Sequence, residues 1–235
     1  MDRQHRRELK HDKFVDEIGV LSSKAKQNQR ILYSAAGVAI AVAVIAYGIY
    51  FYRSNRERKA QGMLATAIDT IESPLANPAQ PNPNAKFKTE IERNAAAEKQ
   101  FKDLKAQYNG TDAADVADLY LARIGASRGD TANARTLLET FIRDHPKNVL
   151  VGSARYSLYQ LRIDGGEAPK VTSELTAELS KKDPALPPDS LLVLLAHAYE
   201  VQGNDAKVVE TFRRLVTEFP DSPYALEAQR RVGAA

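Results

Sequence analysis

The sequence predicts an all-α protein in which a single N-terminal transmembrane helix is followed by a solenoid of paired helices. Three observations predict this fold: an uncharged apolar stretch over 31–52, helical amphipathic periodicity through most of the remaining chain, and glycine and proline at regular intervals between the periodic segments. Runs of alternating apolar and polar residues, which indicate β-strands, are almost absent. The 235 residues suffice for one core-bearing domain with an appendage.

Residues 31–52 form the predicted membrane anchor. The stretch carries no charge, and at about 1.5 Å per residue a helix of this length crosses a hydrocarbon core of roughly 30 Å. A buried core helix this long would show a polar stripe. A cleavable signal peptide seldom has so many residues ahead of its apolar stretch. We therefore interpret the segment as an uncleaved signal anchor that contacts the lipid bilayer.

Basic residues in the tail, residues 1–30, predict the orientation of the anchor. Lysine and arginine counts tie close to the two ends of the apolar stretch, but the whole tail adds further basic residues on the N-terminal side. This excess favours a cytoplasmic N-terminus and a translocated C-terminal domain. Within the tail, Phe14, Val15, Ile18 and Leu21 share one face of a short helix. Such a basic amphipathic helix could contact anionic lipid or a partner, or the tail could be a solvated charged segment.

The charge is divided unevenly along the chain. Residues 1–59 contain 12 Lys+Arg and 6 Asp+Glu, whereas residues 60–235 contain 21 and 24. The larger part is therefore mildly acidic, which argues against nucleic acid as its ligand. The sequence has no cysteine, so disulfides, a thiol nucleophile and sulfur-ligated zinc are excluded for these residues.

A juxtamembrane helix and a proline-rich linker are predicted for residues 53–95. Pro74, Pro78, Pro81 and Pro83 fall so close together that neither a helix nor a strand can continue through them. Residues 96–235 are helical to the end and form the predicted repeat domain.

Glycine and proline spacing reveals a repeat in this domain. Gly129 and Gly203 each separate two amphipathic helices, and the same interval separates them from Pro146 and Pro220. A glycine permits a tight reversal of the chain, and a proline ends the second helix. A generic helical bundle is the alternative, but it would not explain two equal intervals.

Two segments of 34 residues, 115–148 and 189–222, align on this spacing with their apolar positions in register. The pattern resembles the tetratricopeptide repeat, in which helix A, a glycine turn and helix B stack on the next unit. A degenerate unit covers about 149–188, and helical residues around Phe101 suit an earlier one, so we expect three to four units. A short helix over 224–232 would cap the solenoid.

No constellation of catalytic residues is found. The glycines at 165 and 166 lack the lysine and serine or threonine of a phosphate loop. His5, His11, His145 and His197 show no metal-binding spacing. We therefore predict a protein without enzymatic activity, catalytic residues, metal or cofactor.

Tetratricopeptide stacks hold extended or helical peptides on a concave surface lined by the A helices. The set predicted to face this groove is basic and aromatic and would attract acidic or backbone-rich peptides, unless these are ordinary exposed residues of amphipathic helices. The candidates are Leu119, Arg123, Arg155, Tyr159, Arg162, Val193 and His197.

Three segments carry a family resemblance: AxxxF…YNGT over 97–111, ADLYLARIGASRGD over 117–130 and FPDSPYALEA over 219–228. Together with the tail, the anchor and the repeats, they resemble the bacterial ancillary SecYEG translocon subunit family (YfgM-like). The third segment also resembles repeat ends of envelope tetratricopeptide proteins that help assemble the outer membrane.

The resemblance implies a single-pass protein of the bacterial inner membrane with its repeats in the periplasm. Its expected partners are translocon subunits, periplasmic chaperones or exported clients. A scaffold for another envelope assembly or secretion machine is the alternative function. Rows of small residues in the anchor, such as Ala35, Ala39 and Ala43, could also support a homo-oligomer.

Overall fold

The computed structural model describes residues 29–77 and 82–233. Within these ranges the chain is mainly helical, and an isolated β-bridge joins Leu75 to Phe87. The all-α prediction is confirmed. The α-helices are α1 Gln29–Glu72, α2 Glu90–Tyr108, α3 Asp112–Ser127, α4 Thr131–Asp144, α5 Val151–Arg162, α6 Ala168–Leu179, α7 Pro188–Val201, α8 Asp205–Glu218 and α9 Ala225–Gly233. The predicted tail helix around 14–21, and Pro78 and Pro81 of the predicted linker, lie outside the described residues.

The chain divides into two compact units, Met1–Arg56 and Glu57–Ala235. In the described part of the first unit, the apolar side chains of α1 are exposed around the helix. Its polar Ser34 is satisfied inside the helix, because its hydroxyl donates to the Ile31 carbonyl at 2.9 Å. By length and composition, the helix over Tyr33–Glu72 could cross a membrane, with a most apolar window of mean hydropathy 2.0.

The second unit begins with a helical hairpin that includes the end of α1. Ala60, Leu64, Ala67 and Ile71 recur at helical spacing and are buried in one cluster with side chains of α2 and α3. Glu57 also caps α3, since its carboxylate accepts N–H bonds from the first two residues of that helix at 2.9 and 3.2 Å. The end of α1 is therefore the first helix of a hairpin whose second helix is α2.

Two of the following hairpins, α3–α4 and α7–α8, have the predicted glycine turn. Gly129 and Gly203 take φ values of +83° and +69°, which glycine adopts without steric cost. Pro146 and Pro220 follow directly on His145 and Phe219, the C-cap residues of α4 and α8. The glycine-to-proline interval therefore predicted both hairpins correctly.

The middle hairpin, α5–α6, turns through a π-helical segment, Ile163–Glu167, with Gly166 at φ +90°. Ile163 is fully buried against α6 and α7. Leu138, Leu175 and Phe212 occupy the same position in the second helices of the three hairpins and are all buried. The degenerate repeat therefore packs as the regular ones do.

The last helix, α9, covers the end of the stack. Its Ala225 and Ala228 are buried with side chains of α7 and α8. The Ser222 hydroxyl accepts the N–H of Tyr224 at 3.2 Å and donates to Asp189 at 2.7 Å, which fixes the chain ahead of α9 against α7. This is the capping helix that the sequence predicted.

Candidate peptide-binding groove

Three cavities lie along the first helices of the hairpins. The largest, the central cavity, has a volume of about 500 Å³ and lies between α3 and α5. Its walls are mainly apolar and aromatic, with polar residues at the rim. They include Val116, Leu119, Tyr120 and Arg123 of α3, Leu138 of α4, Ser157, Gln160 and Leu161 of α5, and Asp164 of the π-helical segment.

The other two cavities lie to either side. The C-terminal cavity, about 260 Å³, is lined by α5, α7, α8 and α9, with Tyr156, Val193, His197, Phe212, Tyr224 and Arg231 among its residues. The N-terminal cavity, about 290 Å³, is lined by the end of α1, the start of α2 and the end of α3, with Ile71, Glu90, Arg93, Asn94, Arg123 and Ser127 among its residues.

Two side chains connect the three cavities. Gln160 lines both the central and the C-terminal cavity, and Arg123 lines both the central and the N-terminal cavity. The cavities are therefore neighbours along one surface, which we call the groove. An apolar concavity with a few polar groups at its rim is the usual form of a ligand site.

Aromatic stacking holds the cation at the N-terminal side of the central cavity. The ring of Tyr120 stacks on that of Phe101, with centroids 4.8 Å apart and planes 13° from parallel. The guanidinium of Arg123 lies over Tyr120, 5.3 Å from the ring centroid. Because Phe101 is fully buried, this stack anchors an exposed arginine to the protein core.

Charged pairs join the helices at the other side of the groove. His197 Nε2 lies 2.8 Å from Asp164 Oδ1, and this pair connects α7 to the π-helical segment. Glu200 of α7 pairs with Arg231 of α9, whose guanidinium lies 5.8 Å from the centroid of the Phe212 ring. This side therefore carries carboxylates paired with basic groups, whereas Arg123 forms no ion pair within the described residues.

The structure brings four of the seven predicted groove residues into the cavities. Leu119 and Arg123 line the central cavity, and Val193 and His197 line the C-terminal one. A role in peptide binding stays a prediction for each of them.

The remaining three, Arg155, Tyr159 and Arg162, line none of these cavities. Tyr159 packs on the core shared by α5, α6 and α7, and burial raises the pKa of its phenol. Arg162 is only 11% exposed and donates to Glu174 at 2.7 and 2.8 Å. A role in binding stays a prediction for these three residues as well. The guanidinium of Arg162, however, already donates hydrogen bonds to Glu174 within the protein.

Sequence reasoning missed the groove residues of α5 and its extension, among them Tyr156, Gln160 and Asp164. A signal for the first two was available, because equal intervals separate Leu119 from Tyr156 and Tyr156 from Val193. Asp164 belongs to the π-helical segment, which the repeat pattern does not contain.

The groove offers shape, apolar surface and charge for peptide binding. No group of three or more histidine and acidic side chains suited to a metal ion occurs within 29–77 and 82–233.

Structures of repeat proteins are among those that match this chain in the comparison with solved structures. They include two crystal structures of TPR-like repeats from a putative kinesin light chain of Podosopora anserina, one of them of a variant, each at 14% identity. For both, 74% of this chain and 83% of that chain are covered, with a TM-score of 0.49. No curated protein matches the sequence significantly.

A family model described as YfiO, outer membrane lipoprotein, matches residues 78–235. The match spans α2 to α9, that is, the second helix of the first hairpin, the hairpins α3–α4, α5–α6 and α7–α8, and the capping helix. It covers more than half of the sequence and coincides with the tetratricopeptide architecture seen in the structure. The chain therefore belongs to the YfiO outer membrane lipoprotein family.

Proposed function

We propose that this protein is a membrane-anchored interaction module of the bacterial envelope, which holds a segment of a partner protein in the groove along the first helices of its repeats. The observation that carries the proposal is the continuity of the central and C-terminal cavities through Gln160. An extended or helical peptide could place apolar side chains in both cavities while its polar groups meet the rim.

The apolar helix and the family support a location at an envelope membrane. The 235 residues contain no cysteine, so a thiol-linked lipid has no attachment point among them. Residues 31–52 would anchor the chain instead. In the proposed orientation the N-terminus is cytoplasmic and the repeats are in the periplasm, with the protein spanning the inner membrane once.

We further propose that the partners are translocon subunits together with periplasmic chaperones or exported clients. The resemblance to the ancillary translocon subunit family supports this assignment. The test is in-cell crosslinking, affinity purification of the detergent-solubilised protein and quantitative mass spectrometry. Enrichment of translocon subunits and periplasmic folding factors is expected, and their absence would contradict the assignment.

A scaffold for another envelope assembly or secretion machine is the second candidate. The match to a family of outer membrane lipoproteins favours it, as does the FPDSPYALEA segment over 219–228. In the same purification, a different envelope machine would then replace the translocon subunits. A topology reporter fused after Ala235 tests both candidates, because a cytoplasmic C-terminus contradicts each of them.

A further inference from the structure

Hydrogen-bond donors are concentrated in the N-terminal cavity. Arg93, Asn94 and Arg123 line a volume of about 290 Å³ together with Ser127, whose hydroxyl donates to the Ile124 carbonyl at 2.9 Å, and Glu90 is its single carboxylate. Guanidinium groups bind carboxylates through paired, charge-assisted hydrogen bonds. The composition of the cavity therefore fits an anionic group.

Arg93 has a donor that the fold leaves unused. Its side chain is 20% exposed, one terminal nitrogen donates to the Ser73 carbonyl at 3.2 Å, and another lies 3.6 Å from Glu90. Its Nε is buried and makes no hydrogen bond within the described structure. Because buried donors are rarely left unpaired in proteins, this nitrogen points to a missing acceptor.

Arg123 supplies a second cation that the fold does not neutralise. No carboxylate in the described part of the chain forms an ion pair with it, whereas Arg128, Arg135, Arg162 and Arg231 each have one. Its position over Tyr120 restricts the side chain before any ligand binds. A fixed cation loses less conformational entropy on binding than a mobile one.

Glu90 does not cancel these charges. Its side chain is 64% exposed and lies 3.6 Å from Arg93, and exposed pairs of this kind contribute little. In the N-terminal cavity two guanidinium groups thus face one solvated carboxylate, and Asp164 in the wall of the central cavity is paired with His197. Beyond Arg123, the apolar wall of the central cavity begins.

We propose that the N-terminal and central cavities form an acidic-peptide site, in which Arg93 and Arg123 hold a side-chain carboxylate of the bound segment and a neighbouring large apolar side chain enters the central cavity. This inference rests on the proposed function and names the chemistry of the segment. The two arginines complement the charge of the carboxylate. The volume and the apolar wall of the central cavity fit the neighbouring apolar side chain. The two requirements are linked because Arg123 lines both cavities.

The test uses the full chain in detergent and two fluorescein-labelled probe peptides of about 12 residues. Both peptides have capped termini and a leucine- and phenylalanine-rich centre, and they differ in one position, Glu or Gln, beside that centre. Capping removes the terminal charges and the charged label is common to both probes, so the Glu side chain is the only carboxylate by which the two probes differ. Fluorescence anisotropy measures the two affinities for the wild type, for Arg123→Gln and for Arg213→Gln. Arg213 is an exposed arginine of α8 that lines none of the three cavities.

The wild type is expected to bind the Glu peptide at least about tenfold more tightly than the Gln peptide, as the loss of a charge-assisted bond implies. Arg123→Gln should reduce this preference to within about twofold, and Arg213→Gln should leave it unchanged. Equal binding of the two peptides to the wild type, or binding of neither, would overturn the acidic-peptide site. The wild-type comparison does not depend on whether a variant folds. The proposed function is judged separately, by the partners that crosslink in cells.

Discussion

The regular hairpins, α3–α4 and α7–α8, differ from the middle hairpin, α5–α6, in the contacts that hold their turns. In the regular turns the residue after the glycine caps the next helix: Asp130 accepts an N–H at 3.4 Å and Asn204 accepts one at 3.2 Å. The π-helical turn of the middle hairpin has no such side-chain cap. Instead, Arg162 of α5 and Arg135 of α4 both donate to Glu167.

The difference shows that one packing arrangement can be reached through local or long-range contacts. Local caps lie a few residues from the turn, so they can be predicted from the sequence pattern. The ion pairs of the middle hairpin join three helices to the π-helical segment. That segment also places Asp164 in the groove, beside His197. The irregular turn thus contributes a charged group that a regular turn would not place there.

Removing the shared core side chain should have the largest effect and should affect both kinds of hairpin. Leu138→Ala and Leu175→Ala are each expected to lower the free energy of unfolding by about 2–5 kcal/mol, because both side chains are buried at the same repeat position. Urea unfolding followed by circular dichroism measures this, with exposed Thr136→Ala as the control. A cost below about 1 kcal/mol for Leu175→Ala alone would mean that the middle hairpin is not packed as described.

Arg162→Gln, in the middle hairpin, should lower the free energy of unfolding more than loss of an ion pair in a regular hairpin does. Arg162 is 11% exposed and holds two carboxylates, so its loss should destabilise the protein by about 1–3 kcal/mol. The matched control is Arg214→Gln in α8, where a 47% exposed arginine pairs with Glu218 and the expected cost is below about 1 kcal/mol. Equal costs in the same unfolding assay would show that the middle turn does not depend on its ion pairs.

The glycines should behave alike although their turns differ. Gly129, Gly166 and Gly203 all have positive φ, and an added Cβ would meet no neighbouring atom within 4 Å at any of them. Alanine at each position should therefore cost about 1–2 kcal/mol through backbone strain alone. Differential scanning calorimetry of the three variants checks this. A neutral Gly166→Ala would indicate that the middle turn can relax to another conformation.

Acidification should give the smallest difference, because the carboxylates are partly solvated. Hydrogen bonds from Arg162 hold the pKa of Glu174 and that of Glu167 below their usual range. Their contribution is therefore present above the unfolded pKa of about 4.3 and is lost as pH falls through the lower folded pKa. Stability measured against pH should fall less steeply below about pH 4.3 in Arg162→Gln than in the wild type. Identical slopes would contradict this assignment.

The sequence carried enough information for the helices, the regular turns and four groove residues. Glycine, proline and apolar spacing are local signals, so Leu119 and Val193 could be placed from them. The same spacing could have placed Tyr156 and Gln160 of α5, whereas the groove position of Asp164 could not be predicted, because this residue belongs to the π-helical segment. The groove is lined by Tyr156 and Gln160, whereas Arg162 is engaged by carboxylates that only the folded chain brings near.

The groove is tested most directly by site-specific photocrosslinking in cells at Gln160, the residue shared by the central and C-terminal cavities. A photoreactive amino acid at Arg213, on the exposed surface of α8, provides the matched control. We predict that Gln160 gives discrete crosslinked partners and that Arg213 does not. Equal crosslinking from both positions, or crosslinking from Arg213 alone, would contradict the conclusion that the groove is the binding surface.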